Sequence, residues 1–161
     1  MSIESELSEF FRDRGKTIVI GVGNPLRGDD AVGIKILEYL ESMNIPEVML
    51  LNTETVPEAF TGKVSDYEPT HVLLLDAANF RGKPGEAKLI SSAQIGGSAV
   101  STHSLPLTIF ISYLEKTLDV KVKLLGIQPK NIEFYTEMSP ELEKSSKEIA
   151  VMLGNVLKEK N

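Results

Sequence analysis

The segment Thr17-Ile-Val-Ile-Gly-Val-Gly23-Asn24-Pro25-Leu26-Arg27-Gly28-Asp29-Asp30 decides the fold. Its β-branched run from Thr17 to Gly23 has the pattern of a strand buried on both faces in a parallel sheet. Pro25 and Gly28 break the strand. Beyond them Val32, Ile36, Tyr39, Leu40 and Met43 recur at helical spacing, which predicts a helix from about Asp29 to Met43. Strand, turn and helix make the first half of a βαβ unit.

The same alternation continues outward. Apolar runs predict strands over Glu47 to Leu51, Val72 to Leu75 (ending at Asp76), Glu86 to Ile90 and Val120 to Ile127. Helices are expected over Pro57 to Asp66, over Leu105 to Leu118 with Pro106 in the first turn, and from Ser139 to about Lys158. Ser139 reads as the N-cap of that last helix, with Pro140 at its first position. Ser91 to Ser101 is polar and contains Gly96 and Gly97, so it reads as a loop. Toward the start, Ile3, Leu7, Phe10 and Phe11 define a short amphipathic helix ending at Gly15. The expectation is an α/β fold of three layers: a twisted, mostly parallel sheet of about five strands with helices on both faces. No repeat or linker divides the chain, so residues 1–161 are expected to form one domain, with 1–16 a helical extension.

Composition narrows the function. Hydrophobic residues are 42% and charged residues 25% of 161, near the averages for globular proteins. The net charge is −6 and no basic stripe is present, which argues against a nucleic-acid partner. There are no cysteines, so thiolate catalysis, disulfides and a Cys-type zinc site are excluded. Met1 to Lys16 is acidic without a long apolar core, unlike a signal peptide. No apolar run approaches the roughly 18 residues of a membrane span. A cytoplasmic protein without membrane insertion is expected.

In an open α/β sheet, ligands bind outside the carboxyl ends of the strands. Asp29 and Asp30 follow the first strand, Asp76 follows the third, and Ser101-Thr102-His103-Ser104 opens a helix on the same edge. Two adjacent acids at a helix start rarely both cap it, so Asp29 is the better candidate for capping and Asp30 for chemistry. A carboxylate at the end of a buried strand is costly unless it is paired, hydrogen-bonded or metal-bound, which singles out Asp76. Of the two histidines, His71 reads as an edge or surface residue at a strand start, and His103 as a possible ligand. Asp30, Asp76 and His103 together make a three-ligand site with open positions. The turn Gly21-Val-Gly23-Asn24-Pro25-Leu26 only partly matches a dinucleotide fingerprint: its third glycine is missing and Pro25 lacks an N–H. No P-loop, nucleophile elbow or His-Glu-x-x-His helix is present.

Taken in order, several segments resemble the hydrogenase maturation endopeptidases. They are Gly21-Val-Gly-Asn-Pro-Leu-Arg-Gly-Asp-Asp-Ala-Val-Gly33, Leu75-Asp76-Ala77, Thr102-His103-Ser-Leu-Pro106, Gly126-Ile-Gln-Pro129 and Met138-Ser-Pro140. The His103 and Gln128 segments look most like the subgroup serving the hydrogenase-3, or formate hydrogenlyase, type of enzyme. The resemblance implies an endopeptidase core over 17–161 that removes a C-terminal extension from the large-subunit precursor of a nickel–iron hydrogenase after nickel insertion. It implies Asp30, Asp76 and His103 as metal ligands, with Asp30 or Asp76 as the catalytic, aspartyl-type carboxylate. The nickel is implied to arrive with the substrate, at a site able to take other divalent cations. Gly23 and Asn24 are expected to orient the peptide. One departure stands out: many members have an Asp-Gly-Gly-like turn after the second strand, where this chain has Asn52-Thr53-Glu54. Glu54 is the acid available there. Two other readings use the same residues, a non-catalytic metal-checking module and a nucleotide-binding α/β enzyme.

Overall fold

Thr17–Val22 forms strand β1, and all six of its residues are buried because parallel neighbours flank it and helices cover both faces. The structure is a computed structural model that describes residues 1–97 and 99–159. In chain order, the other strands are β2 (Val48–Glu54), β3 (His71–Asn79), β4 (Ala87–Ile90), β5 (Val100–Ser101) and β6 (Lys121–Ile127). The helices are α1 (Ile3–Phe10), α2 (Val32–Glu41), α3 (Thr61–Tyr67), α4 (Ser104–Thr117) and α5 (Pro140–Lys158). Among the described residues the sheet has six strands in the order β2-β1-β3-β6-β4, with β5 paired to the end of β3. β2, β1, β3 and β6 are mutually parallel, while β4 and β5 are antiparallel to their neighbours.

Alternate side chains of the strands supply two apolar layers, as the period of two requires. Val19, Leu73, Leu75 and Leu125 pack against α1, α2 and α5 through Leu7, Ile36, Leu40 and Leu153. Ile18, Ile20, Leu74 and Leu124 pack against α3 and α4 through Val64, Leu107, Phe110 and Leu114. A Cβ on Gly33 would lie 2.2 Å from the Leu75 carbonyl oxygen. The missing side chain therefore lets the first turn of α2 rest on β3. The chain leaves β1 toward β2 on one side, while β3 lies on the other. The gap between the carboxyl ends of β1 and β3 is thus the switch point at which such sheets bind ligands.

Several boundaries differ from expectation, each for a physical reason. β2 continues through Asn52 and Thr53 to Glu54, so these residues are strand rather than a turn after it. A bulge at Gly21/Val22 accommodates them, and Glu54 takes a left-handed φ of 48°. β3 runs past Asp76 to Asn79, because β6 and β5 supply pairing partners for the extension. The Ser91–Ser101 segment holds a 3₁₀ turn at Ser92–Gln94 and strand β5, with Ser98 outside the described residues. His71 is buried in the central strand, not at an edge or the surface: Phe10 and Phe11 cover its ring, and Thr70 Oγ1 lies 2.8 Å from its Nδ1. No described helix is long and apolar enough to cross a membrane.

Candidate metal and catalytic site

Three segments converge at the switch point. The turn after β1 tightens into a 3₁₀ turn, Gly28–Ala31, that buries Asp29 and Asp30 ahead of α2. A Cβ on Gly23 would fall 2.1 Å from the Asp30 carbonyl oxygen, so glycine at 23 permits this close return. β3 supplies Asp76 beside Gly126 of β6, and His103 sits at the N-terminal boundary of α4. Asp30, Asp76 and His103 each offer a ligand atom within 4.8 Å of those of the other two. The structure thus brings together the three residues singled out from the sequence.

The hydrogen bonds divide the work. Asp76 Oδ1 accepts from its neighbour Ala77 N–H at 2.9 Å, and Oδ2 accepts from Ser101 Oγ at 2.6 Å. His103 Nδ1 lies 3.1 Å from Asp76 Oδ2, and Thr102 Oγ1 is within 3.4 Å of both Asp76 oxygens. The other imidazole nitrogen, Nε2, faces Asp30 Oδ2 at 3.7 Å. That spacing is too long for a hydrogen bond, but it suits two donors each about 2.1 Å from one ion. Asp30 Oδ2 accepts the Asn24 N–H at 2.9 Å, whereas Oδ1 is buried with no partner. A buried carboxylate with one unsatisfied oxygen, its other oxygen facing an imidazole nitrogen, fits a site that a cation completes.

The electrostatics follow from burial. Desolvation pushes the Asp76 carboxyl up to about 6, against the downward pull of His103 and Ser101, and the Asp30 charge adds to the rise. Burial pulls His103 down, yet its bond to Asp76 and the charges of Asp76 and Asp30 outweigh this and raise it; Arg27 opposes them. The imidazole therefore holds its proton more tightly than a free histidine, and a cation bound at its nitrogen competes with that proton.

Asp29 has a different role from the helix cap expected of it. Its carboxylate accepts from Lys130 N, Asn131 N, Ser139 N and Ser139 Oγ at 2.7–3.0 Å. It ties the β6–α5 loop to the turn that carries Asp30. Ser139 stands at the N-cap of α5 with Pro140 at its first position, as expected, but its hydroxyl serves Asp29 rather than the helix's own N–H groups. Ser101 was missed from the sequence, although a hydroxyl two residues before a candidate ligand is the available signal. Its Oγ holds the Asp76 carboxylate and also accepts the His103 N–H at 3.0 Å. Gly23 N–H is bound to Glu54 O at 2.9 Å, and Asn24 Oδ1 accepts Leu26 N–H. With Asn24 N–H on Asp30, the backbone donors that would cradle a pyrophosphate are engaged, which disfavours the nucleotide reading.

Comparison with known proteins gives a consistent result. A family model described as hydrogenase maturation protease matches residues 34–156. The crystal structure of a nickel–iron hydrogenase maturation protease from Thermococcus kodakarensis KOD1 superposes with a TM-score of 0.87 at 31% identity. The match covers 96% of this chain and 99% of that one. The hydrogenase 3 maturation protease of Escherichia coli (strain K12) is 28% identical over 123 residues, which is 76% of this chain and 78% of its own. A chain of Methanocaldococcus jannaschii, a candidate hydrogenase maturation protease, is 38% identical over 152 residues and 89% of each chain.

Proposed function

The chain belongs to the hydrogenase maturation protease family, and from that premise we propose that Asp30, Asp76 and His103 engage a nickel ion carried by the large-subunit precursor of a nickel–iron hydrogenase while its C-terminal extension is cut off. The observation that carries this reading is the buried Asp30 carboxylate, whose Oδ2 faces His103 Nε2 at 3.7 Å and whose Oδ1 has no partner, grouped with the buried Asp76. Two carboxylates and an imidazole suit nickel, and this chain brings no thiolate of its own to compete for it. The ion is part of the substrate, so the three ligands test whether the precursor has been loaded.

The reaction is hydrolysis of one peptide bond. Water adds to the scissile carbonyl carbon, the C–N bond breaks, and the proton lost by water reaches the leaving amine. A carboxylate at the site takes that proton first. Asp76, raised to about 6, is closer to neutrality than an ordinary carboxylate, and Asp30 has the unoccupied oxygen; the pair makes this an aspartyl-type site. Ser101 and Thr102 hold Asp76, and His103 is fixed through its Nδ1. Asn24 is half-buried and bound through its N–H to Asp30, and its side-chain amide nitrogen suits a peptide carbonyl. The Gly23 N–H is already engaged, so any contact from Gly23 to the peptide uses its carbonyl.

The test is mass spectrometry of a large-subunit precursor after exposure to the protein, with and without nickel. Loss of a short C-terminal fragment from the loaded precursor alone is expected. Equal cutting of loaded and empty precursor would remove nickel recognition from the reading, and no cutting of either would remove the site assignment.

A further inference from the structure

The turn that leads into Asp30, and the β6–α5 loop tied to it, expose apolar side chains that the fold itself does not use. Leu26 is 54% exposed, Phe134 57% and Tyr135 84%. They come from two segments distant in sequence, the turn after β1 and the loop between β6 and α5. Tyr135 N–H donates to the Leu26 carbonyl at 2.7 Å, joining the two backbones. Arg27 Nε donates to the Ile132 carbonyl at 3.0 Å, and its guanidinium lies 5.0 Å from the centroid of the Phe134 ring. The Phe134 and Tyr135 rings are 6.0 Å apart. Asp29 holds the same two segments together from beneath with its four accepted hydrogen bonds. The three side chains therefore form a ridge on a fixed base.

Two features of this ridge work against the isolated chain. Exposed aromatic rings remain in contact with water, and Tyr135 has φ 60°, the left-handed region that a bulky residue rarely occupies. Rigid aromatic side chains presented on a fixed backbone are the usual anchors of protein interfaces, because little side-chain freedom is lost on docking. The position of the ridge identifies the occupant. Leu26 lies four residues before Asp30 in one turn, so a polypeptide seated on Asp30 borders the ridge. A second copy of this chain fits poorly, since each copy carries a net charge of −6 and would repel the other.

We propose that Leu26, Phe134 and Tyr135 form the docking ridge for the hydrogenase large-subunit precursor, gripping its apolar surface beside the site that cuts it. This rests on the peptidase reading above. It assigns the ridge to substrate binding and not to the chemical step.

The test uses Leu26→Ser, Phe134→Ser and Tyr135→Ser, singly and combined, and also Tyr135→Gly. Glycine keeps the left-handed backbone without strain, so it separates loss of the ring from loss of the fold. Cleavage of nickel-loaded precursor gives kcat and KM, and sedimentation of enzyme with precursor gives binding directly. The triple variant should raise KM and the dissociation constant about tenfold or more, with kcat within about twofold of wild type. Tyr135→Gly should weaken binding while melting at or above the wild-type temperature. Unchanged KM and binding in the triple variant would overturn the ridge. A wild-type protein that binds precursor but never cuts it would fell the peptidase reading alone, and binding by the triple variant would still judge the ridge. A wild-type dimer that the triple variant abolishes, with precursor binding intact, would assign the ridge to self-association and overturn the proposal.

Discussion

Asp76→Asn is expected to stabilise the metal-free protein at pH 8 while abolishing processing. Burial raises the Asp76 carboxyl from 3.8 to about 6. About two pKa units at 1.4 kcal/mol each make roughly 3 kcal/mol of penalty for keeping that charge in the folded state. The folded value lies above the unfolded one, so the folded chain binds the extra proton between about pH 4 and pH 6. Stability falls as pH rises through this window, and the deficit is complete above it. His103 contributes in the same direction: its pKa is also raised, so the stability it brings is present below 6.5 and is lost as pH rises through its folded value. Asparagine carries no charge but forfeits the pairing with His103, so the net gain at pH 8 is expected to be about 1–2 kcal/mol. For a chain of this size that is a rise in Tm of roughly 2–8 °C. Near pH 5, where the folded Asp76 carboxyl mostly holds its proton and carries little charge, the gain should shrink. Thermal unfolding by circular dichroism with chelator at both pH values measures it. A variant that melts below wild type at pH 8, or a difference independent of pH, would refute the reasoning.

Four further substitutions separate function from fold. His103→Ala should keep a wild-type circular dichroism spectrum and cut nickel-loaded precursor at least about a hundredfold more slowly, since even supporting residues of metal sites matter by 10–100-fold; mass spectrometry of the precursor reads it. Asp29→Ala leaves the donors at Lys130, Asn131 and Ser139 without their acceptor. It should lower stability by about 3 kcal/mol or more, seen as a lower urea midpoint with unchanged slope. Gly33→Ala would drive a Cβ into the Leu75 carbonyl and should cost about 2 kcal/mol or more. Gly62→Ala, with nothing within 4 Å of its added Cβ, should instead stabilise α3 by about 0.5–1 kcal/mol in the same urea titration.

The alternation of strands and helices was legible because apolar period and punctuation agree over most of the chain. The convergence of Asp30, Asp76 and His103 was legible for a topological reason: parallel strands put their carboxyl ends on one edge, so whatever follows β1 and β3 must meet there. Lengths and local partners were harder to read. Asp76-Ala77-Ala78-Asn79 looks like a strand end because a buried carboxylate is costly. It remains strand because Ser101, His103 and Ala77 satisfy that carboxylate while β5 and β6 pair the backbone on both sides. His71 reads as a surface residue until α1 folds back and lays Phe10 and Phe11 on its ring. Serine before proline signals a helix cap, but that signal is blind to an acid 110 residues away that takes the hydroxyl.

Asp29 and Asp30 show what separates a structural carboxylate from a reactive one. Both are wholly buried, adjacent, and part of one 3₁₀ turn, so sequence position and exposure do not distinguish them. Their partners do. Asp29 accepts four hydrogen bonds across its two oxygens and has no capacity left for a ligand without letting go of the β6–α5 loop. Asp30 accepts one from Asn24 on Oδ2, and its Oδ1 has none. An unsatisfied buried acceptor costs about 1–3 kcal/mol, a large share of the stability of a chain this size. The fold can carry that cost because Asp29, next in the chain, anchors the same turn so firmly. The acid spent on structure thus keeps its neighbour unspent, and an atom kept unspent inside a protein is placed to receive a ligand.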